Sequence, residues 1–428
     1  METAATDAAM VFTFRKAEPM FTSIQRTHLP FQGVVLLISL LIILVGTSSG
    51  MSSLGTGDEL GKPPNSSLKL EQQFDLRQYG VRKESYATFG EYIQAAHQFD
   101  PVSFSGNNNI VVGFRTQEGK QYAPHRVHAI VLDLVNRKIE SVGDWLVAVH
   151  DICLLATTEG RFILRTREKI TLYSPQIKPI REFEIPYTRK PVQEEWRISV
   201  TPSRKSIVLE HYVDPDLKIT WTDAETFSHI RGGNAPSGVF GLVSNFKNDL
   251  MASDDMLVGT VGPKFSDKCE VSIANNNDGP WNVIYHADSS CRYGAQIINS
   301  GTLFLPKSDE WLLLDTGGRI LRQEALEKKA MAMESRVSAN GKRMVIPILT
   351  TKGGSDALDI SPRIIFKRLI VYDVVRNDIV EVVDSHQLNL DDLEGFNISP
   401  DGSRLVLLRN GAVEVYQLAV DSGDQLLN

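Results

Sequence analysis

The stretch FNISPDGSRLVLL, Phe396 to Leu408, decides the fold. Apolar residues lead to Ser399, a Pro-Asp-Gly turn follows, and Leu405 opens a continuous apolar run. Proline fixes φ, glycine supplies positive φ, and β-branched or aliphatic residues flank both, which is the signature of a hairpin. The phrase returns along the chain. RVSANGKRMVIPI (Arg336 to Ile348) keeps most of it. Looser copies are VSFSGNNNIVVGF (Val102 to Phe114), ISVTPSRKSIVLE (Ile198 to Glu210) and QIINSGTLFLP (Gln296 to Pro306). Each places a Ser or Thr before the turn: Ser338, Ser105, Thr201 and Ser300. A strand–turn–strand unit recurring every ~40–50 residues predicts an all-β chain built of propeller blades.

Working outward, the chain from Leu68 divides into seven strand-rich segments: 99–143, 147–185, 195–231, 239–285, 294–323, 333–383 and 394–418. The fourth is expected to open with VFGLVS and the sixth with ESRVS. The seventh holds only three clear strands, GFNIS, RLVLL and AVEVYQL, while LKLEQQFDL (Leu68 to Leu76) has no blade of its own. A propeller removes its exposed sheet edges by closing the ring. The spare strand and the short last blade are therefore predicted to pair, giving seven blades over 68–418 and a polar tail over 419–428.

The fully developed copy, FNISPDGSRLVLLRNGAVEVYQL, resembles the repeats of WD-like, TolB-type propellers, which carry a Ser-Pro-Asp-Gly turn between their first two strands. Ser399, Pro400, Asp401 and Gly402 match it fully, and Ser338, Asn340 and Gly341 in part. The resemblance implies a propeller from Leu68 to Leu418. The Trp-Asp ending of true WD repeats is missing from the blade ends.

The 428 residues are 42% apolar and 23% charged, ordinary for a globular protein, with a formal charge of −7 and no Lys/Arg-rich cluster. That balance argues against nucleic-acid binding, which needs a basic face. The N-terminus differs from the rest. VVLLISLLIILV, Val34 to Val45, follows Arg15, Lys16 and Arg26 and precedes small residues. Residues 1–50 thus read as a leader with an apolar export signal, cleaved or retained as a membrane anchor, and 51–67 as a flexible Gly/Ser/Pro linker. Met20 as the start would give a signal of conventional length. The expected location is outside the cytoplasm, either free or anchored to the outer face of the inner membrane. Asn65 and Asn397 fit the glycosylation sequon, which matters only in a eukaryotic secretory pathway.

Three cysteines are too few for a disulfide scaffold. Cys153 lies in the apolar run DICLLAT and reads as a small core residue. Cys269 and Cys291 flank a strand–turn–strand unit that returns the chain towards Cys269 at about Ala287. A Cys269–Cys291 bridge and two unrelated thiols both fit.

No chemical motif stands out. Gly46-Thr47-Ser48-Ser49-Gly50 matches the nucleophile-elbow pattern but directly follows the apolar core of the leader. His125 and His128 are three apart on a strand and so face opposite sides, which rules against a shared metal. Asn275 to Pro280 lacks the ligand register of a calcium loop and reads as a hairpin turn, as does Asp214-Pro215-Asp216. Trp145, Trp196, Trp221, Trp281 and Trp311 are dispersed among strands and read as blade packing. No catalytic or metal residue and no cofactor is predicted. The expected function is an exported, non-catalytic scaffold that binds a protein, peptide or glycan on one loop face. The alternative is a propeller enzyme, a lactonase or glycan-cleaving hydrolase, at the channel mouth. Three or more convergent His, Asp, Glu or Arg side chains there would favour the enzyme.

Overall fold

The computed structural model describes residues 68–81, 100–117, 125–147, 153–166, 169–185, 194–213, 216–235, 246–263, 269–274, 280–287, 294–307, 309–351, 364–384 and 393–419. These form a seven-bladed β-propeller. Seven antiparallel sheets follow one another along the chain, and six of them are made of consecutive strands. In the seventh, Lys69–Asp75 pairs antiparallel with Ala412–Gln417, from Lys69 opposite Gln417 to Asp75 opposite Ala412. The N-terminal strand therefore closes the ring as the sequence predicts.

The blades span 102–147, 153–184, 194–235, 246–287, 296–325, 330–384 and, with the closing strand, 393–417. Two inner strands depart from expectation. Blade four opens with Phe246–Ala252, in unbroken register against Leu257–Pro263. The expected VFGLVS lies outside the described residues. Lys247, Asn248 and Asp249 hide this strand in the sequence, since they interrupt any apolar run. Blade six opens with two pieces, Ala330–Ala332 and Arg336–Val337, both paired with Arg343–Thr351. ESRVS thus supplies only the second piece.

Each blade is covered by a neighbour on both faces, so its middle strands read as continuous apolar runs. The core lies between blades. Phe304, Trp311, Met344 and Tyr372 pack blades five and six together. Phe74, Leu76, Phe104 and Val413 seal the closing blade against the first.

The connections sort onto two faces. Turns between the first and second strands, and between the third and outer strands, lie on one face, called here the turn face. The remaining strand ends stand on the other, the loop face, and flank residues 118–124, 236–245, 352–363 and 385–392.

Candidate functional site

The repeated phrase builds a belt on the turn face. In blade seven the buried Ser399 hydroxyl donates to Asp401 (2.6 Å) and accepts from the Arg404 N–H (2.9 Å). In blade six Ser338 does the same with Asn340 (2.7 Å) and the Arg343 N–H (3.0 Å). Gly402 and Gly341 hold φ of 76° and 65°, the left-handed region that glycine enters without strain. Burial opposes ionisation of Asp401, but hydrogen bonds from Ser399 and Ser403 outweigh it and hold the carboxyl below its ordinary value.

These turns also join blades. Asn299 Nδ2 donates to the Gly341 carbonyl (3.2 Å) and Asn340 Nδ2 to that of Asp401 (3.0 Å). The Asp401 N–H donates to Asn107 Oδ1 (3.2 Å), and the Gly160 N–H to the Ser105 carbonyl (2.8 Å). Arg161 pairs with Glu225 (3.2 Å), and Thr201 and Ser206 both donate to Asp254 (2.9 Å each). Among the described residues the junction of blades four and five is the exception. There the Ala295 N–H donates to Thr260 Oγ1 (2.7 Å), away from the turns.

The central channel holds the residues that motif reading missed. Arg204 stands in blade three where Gly402 stands in blade seven, and it takes φ of 62° without being glycine. Its guanidinium crosses to the first two blades, donating to the carbonyls of Phe104 and Ala156 and to Ser103 Oγ. Ser103 also accepts from Asn397 Nδ2 of blade seven (3.1 Å). Part of Arg204 still meets solvent, yet protein surrounds it closely enough that burial pulls its pKa down to about 10. Nearer the loop face, Arg336 Nη2 meets Asp100 Oδ1 at 2.8 Å and Nη1 meets Glu334 Oε1 at 3.6 Å. Gln296 Oε1 accepts from the N–H (2.7 Å) and hydroxyl (2.8 Å) of Ser335. Two acids and two arginines thus converge, with both acids on Arg336, and Arg204 held by carbonyls and Ser103. Only the turn TPSRKS, a Ser-Pro-Asp-Gly-like turn with Arg in the glycine slot, signals this in the sequence.

The other singled-out residues stay apart. His128 stacks on Phe114 (centroids 4.5 Å apart) and hydrogen-bonds Thr116 Oγ1 (3.0 Å), as a strand-packing residue would. No group of three or more metal-binding side chains occurs among the described residues. Trp221 and Trp311 are fully buried between blades, Trp145 packs on Phe162 and Tyr173, and Trp196 stacks on His211. Asn397 is buried and engaged with Ser103, so that sequon is closed to a glycan. Cys153 is a buried free thiol whose pKa burial pushes up to about 12. Cys269 is disulfide-bonded, and it faces Ala287 in register, as the turn reading predicts. Cys291 lies outside the described residues, and its pairing with Cys269 stands as a proposal. The Gly46–Gly50 motif, the Asn275–Gly279 turn and Asn65 also lie outside them.

No protein-family model matches the chain, and a search of curated proteins finds no match. Among solved structures it is similar to the C-terminal WD40 domain of Sif2, with a TM-score of 0.45 and 11% identity, over 82% of this chain and 100% of that one. It is similar to hydrazine synthase of Kuenenia stuttgartiensis, with a TM-score of 0.43 and 12% identity, over 76% and 96%. It is also similar to BamB from Moraxella catarrhalis, with a TM-score of 0.37 and 10% identity, over 82% and 100%. These likenesses accord with the propeller and carry no further argument.

Proposed function

We propose that the chain is an exported, non-catalytic scaffold whose loop face recognises a protein, peptide or glycan. One observation carries this reading. The turn-face polar groups are largely committed to bonds within and between blades, and the channel charges are committed to one another or, for Arg204, to carbonyls and Ser103. Longer connections gather on the opposite face, where a rigid ring can present variable segments. The convergence of Asp100, Glu334, Arg336 and Arg204 favours the second reading, a channel-mouth hydrolase. Against it, both carboxylates lie on Arg336, so neither is placed as an unpaired acid or base.

The test replaces 118–124 and 352–363 with short Asn-Gly turns and compares this variant with Asp100→Asn. Native extract is passed over each immobilised protein, and hydrolysis of lactone and glycan substrates is assayed alongside. The scaffold reading expects loop replacement to abolish partner retention while melting is unchanged, with Asp100→Asn retaining the partner. Turnover that Asp100→Asn abolishes and loop replacement spares would overturn it in favour of the enzyme.

A further inference from the structure

Among the described residues ten large aliphatic side chains are exposed, and eight of them lie at one level of the ring. The outer strand of every blade begins on the turn face, and there they stand. Leu70, Ile180, Ile230, Val283 and Leu321 are each the second residue of an outer strand, in blades seven, two, three, four and five. Ile320 precedes Leu321. Val135 and Val375 sit in the turns leading to the outer strands of blades one and six. Every blade contributes. Exposure runs from 36% at Leu321 to 73% at Val375. A single exposed aliphatic needs no explanation. The second outer-strand position filled in five blades, and the turn just before that strand in the other two, does.

The aspartates of the neighbouring turns bond the backbone rather than reaching out. Asp133 Oδ1 accepts from the N–H groups of Val135 (2.9 Å) and Asn136 (3.0 Å). Asp373 Oδ1 accepts from Val375 (3.0 Å) and Arg376 (2.9 Å), and Asp315 Oδ1 from Gly317 and Arg319 (2.9 Å each). The turn acids are thereby drawn inward. Lys69, Arg137, Lys138, Lys178, Arg319 and Arg376 remain exposed at the rim, with Glu225 and Asp378 the exposed acids of the same turns. The inner turns add Glu159, Asp255 and Asp401 against Lys205 and Lys342. The exposed groups number eight basic and five acidic, a modest positive excess.

The path of the chain selects the occupant. Lys69 is opposite Gln417, so the chain joins the ring on this face. The apolar stretch Val34 to Val45 lies upstream across residues 46–67. The covalent reach of the 22 residues between them is at most roughly 75 Å. A bilayer holding that stretch would be within reach of this rim.

We propose that the rim of the turn face rests on a lipid surface, with the seven-blade ring of aliphatic side chains entering the headgroup layer and the loop face directed away. This goes beyond the scaffold reading and does not depend on it.

The test uses the full chain reconstituted with phosphatidylcholine vesicles. A fluorophore is placed at Val135→Cys, at Val375→Cys, or at Leu146→Cys, an exposed aliphatic position at the far end of the same outer strand as Val135's turn. Cys153 is buried and stays unlabelled in the folded ring. A lipid-borne quencher should act several-fold more strongly at Val135 and Val375 than at Leu146. A variant carrying Ile180→Ser, Ile230→Ser, Val283→Ser and Leu321→Ser should lose that difference while melting normally, because all four side chains already meet solvent. Equal quenching at both ends, or a difference that survives the serine variant, overturns the proposal. So does protection of Val135 and Val375 without vesicles that rises with protein concentration, which would assign the rim to a second copy of the chain.

Discussion

On the turn face, connections such as 399–403 and 338–342 are short, and nearly every polar side chain in them bonds its own turn or the next blade. On the loop face, connections such as 352–363 run longer between strands whose packing is already complete. One face therefore joins the blades through a repeated belt, and the other carries the longer connections. A binding surface can change only where structure does not depend on it. The belt also explains why one phrase recurs, since each copy must do the same job at each junction.

The largest test of this contrast is removal of the closing strand Lys69–Asp75. The edge of Ala412–Gln417 would be exposed, and Phe74, buried against blade one, would be lost. Losing Phe74 alone would cost about 3 kcal/mol or more. The single cooperative melting transition should disappear, and an unchanged melt would break the closure model. Next comes Gly318→Ala, on the turn face. An added Cβ would lie 1.8 Å from the Ile284 carbonyl oxygen of blade four, at φ of 83°. Positive φ and the clash together should cost roughly 3 kcal/mol by chemical denaturation.

A paired substitution sharpens the comparison within the belt. Ser399→Ala removes a buried hydroxyl that bonds both ways, and should cost about 1–3 kcal/mol. Thr157 occupies the equivalent place in blade two, with its N–H donating to the Arg161 carbonyl (2.9 Å), yet its buried hydroxyl has no partner. Thr157→Val should be nearly neutral or stabilising. Equal costs at the two positions would show that the hydroxyl is not the active part of the phrase. The smallest effect is acid sensitivity at Asp401. Its folded value lies below the ordinary carboxylate range, so its contribution is complete above about pH 4 and fades as pH falls through the folded value. Asp401→Asn should flatten that part of the stability profile on the acid side, measured by melting across pH.

Much of the ring was legible because its logic is local. Pro400, Asp401 and Gly402 declare their turn by chemistry that needs no distant partner. The closing strand was legible by subtraction, as a spare strand matched to a short blade. Thr157 was missed because its turn, TTEGR, carries neither the Pro nor the Asn found in the turns of the other copies. Phe246–Ala252 was missed because Lys247, Asn248 and Asp249 interrupt its apolar run. Asp100, Arg204, Glu334 and Arg336 could not be read at all. They come from blades one, three and six, and only ring closure brings them together. The Asn397 sequon shows the same limit in reverse, a valid local motif silenced by Ser103 of another blade.

The pairing of Lys69 with Gln417 has an engineering consequence. Paired strands stand about 5 Å apart, so a short peptide could fuse the start of the ring to its end. New termini could then be cut at 352–363. The linear order of the blades would become a matter of where the gene is opened, while the folded circle kept every neighbour it has now.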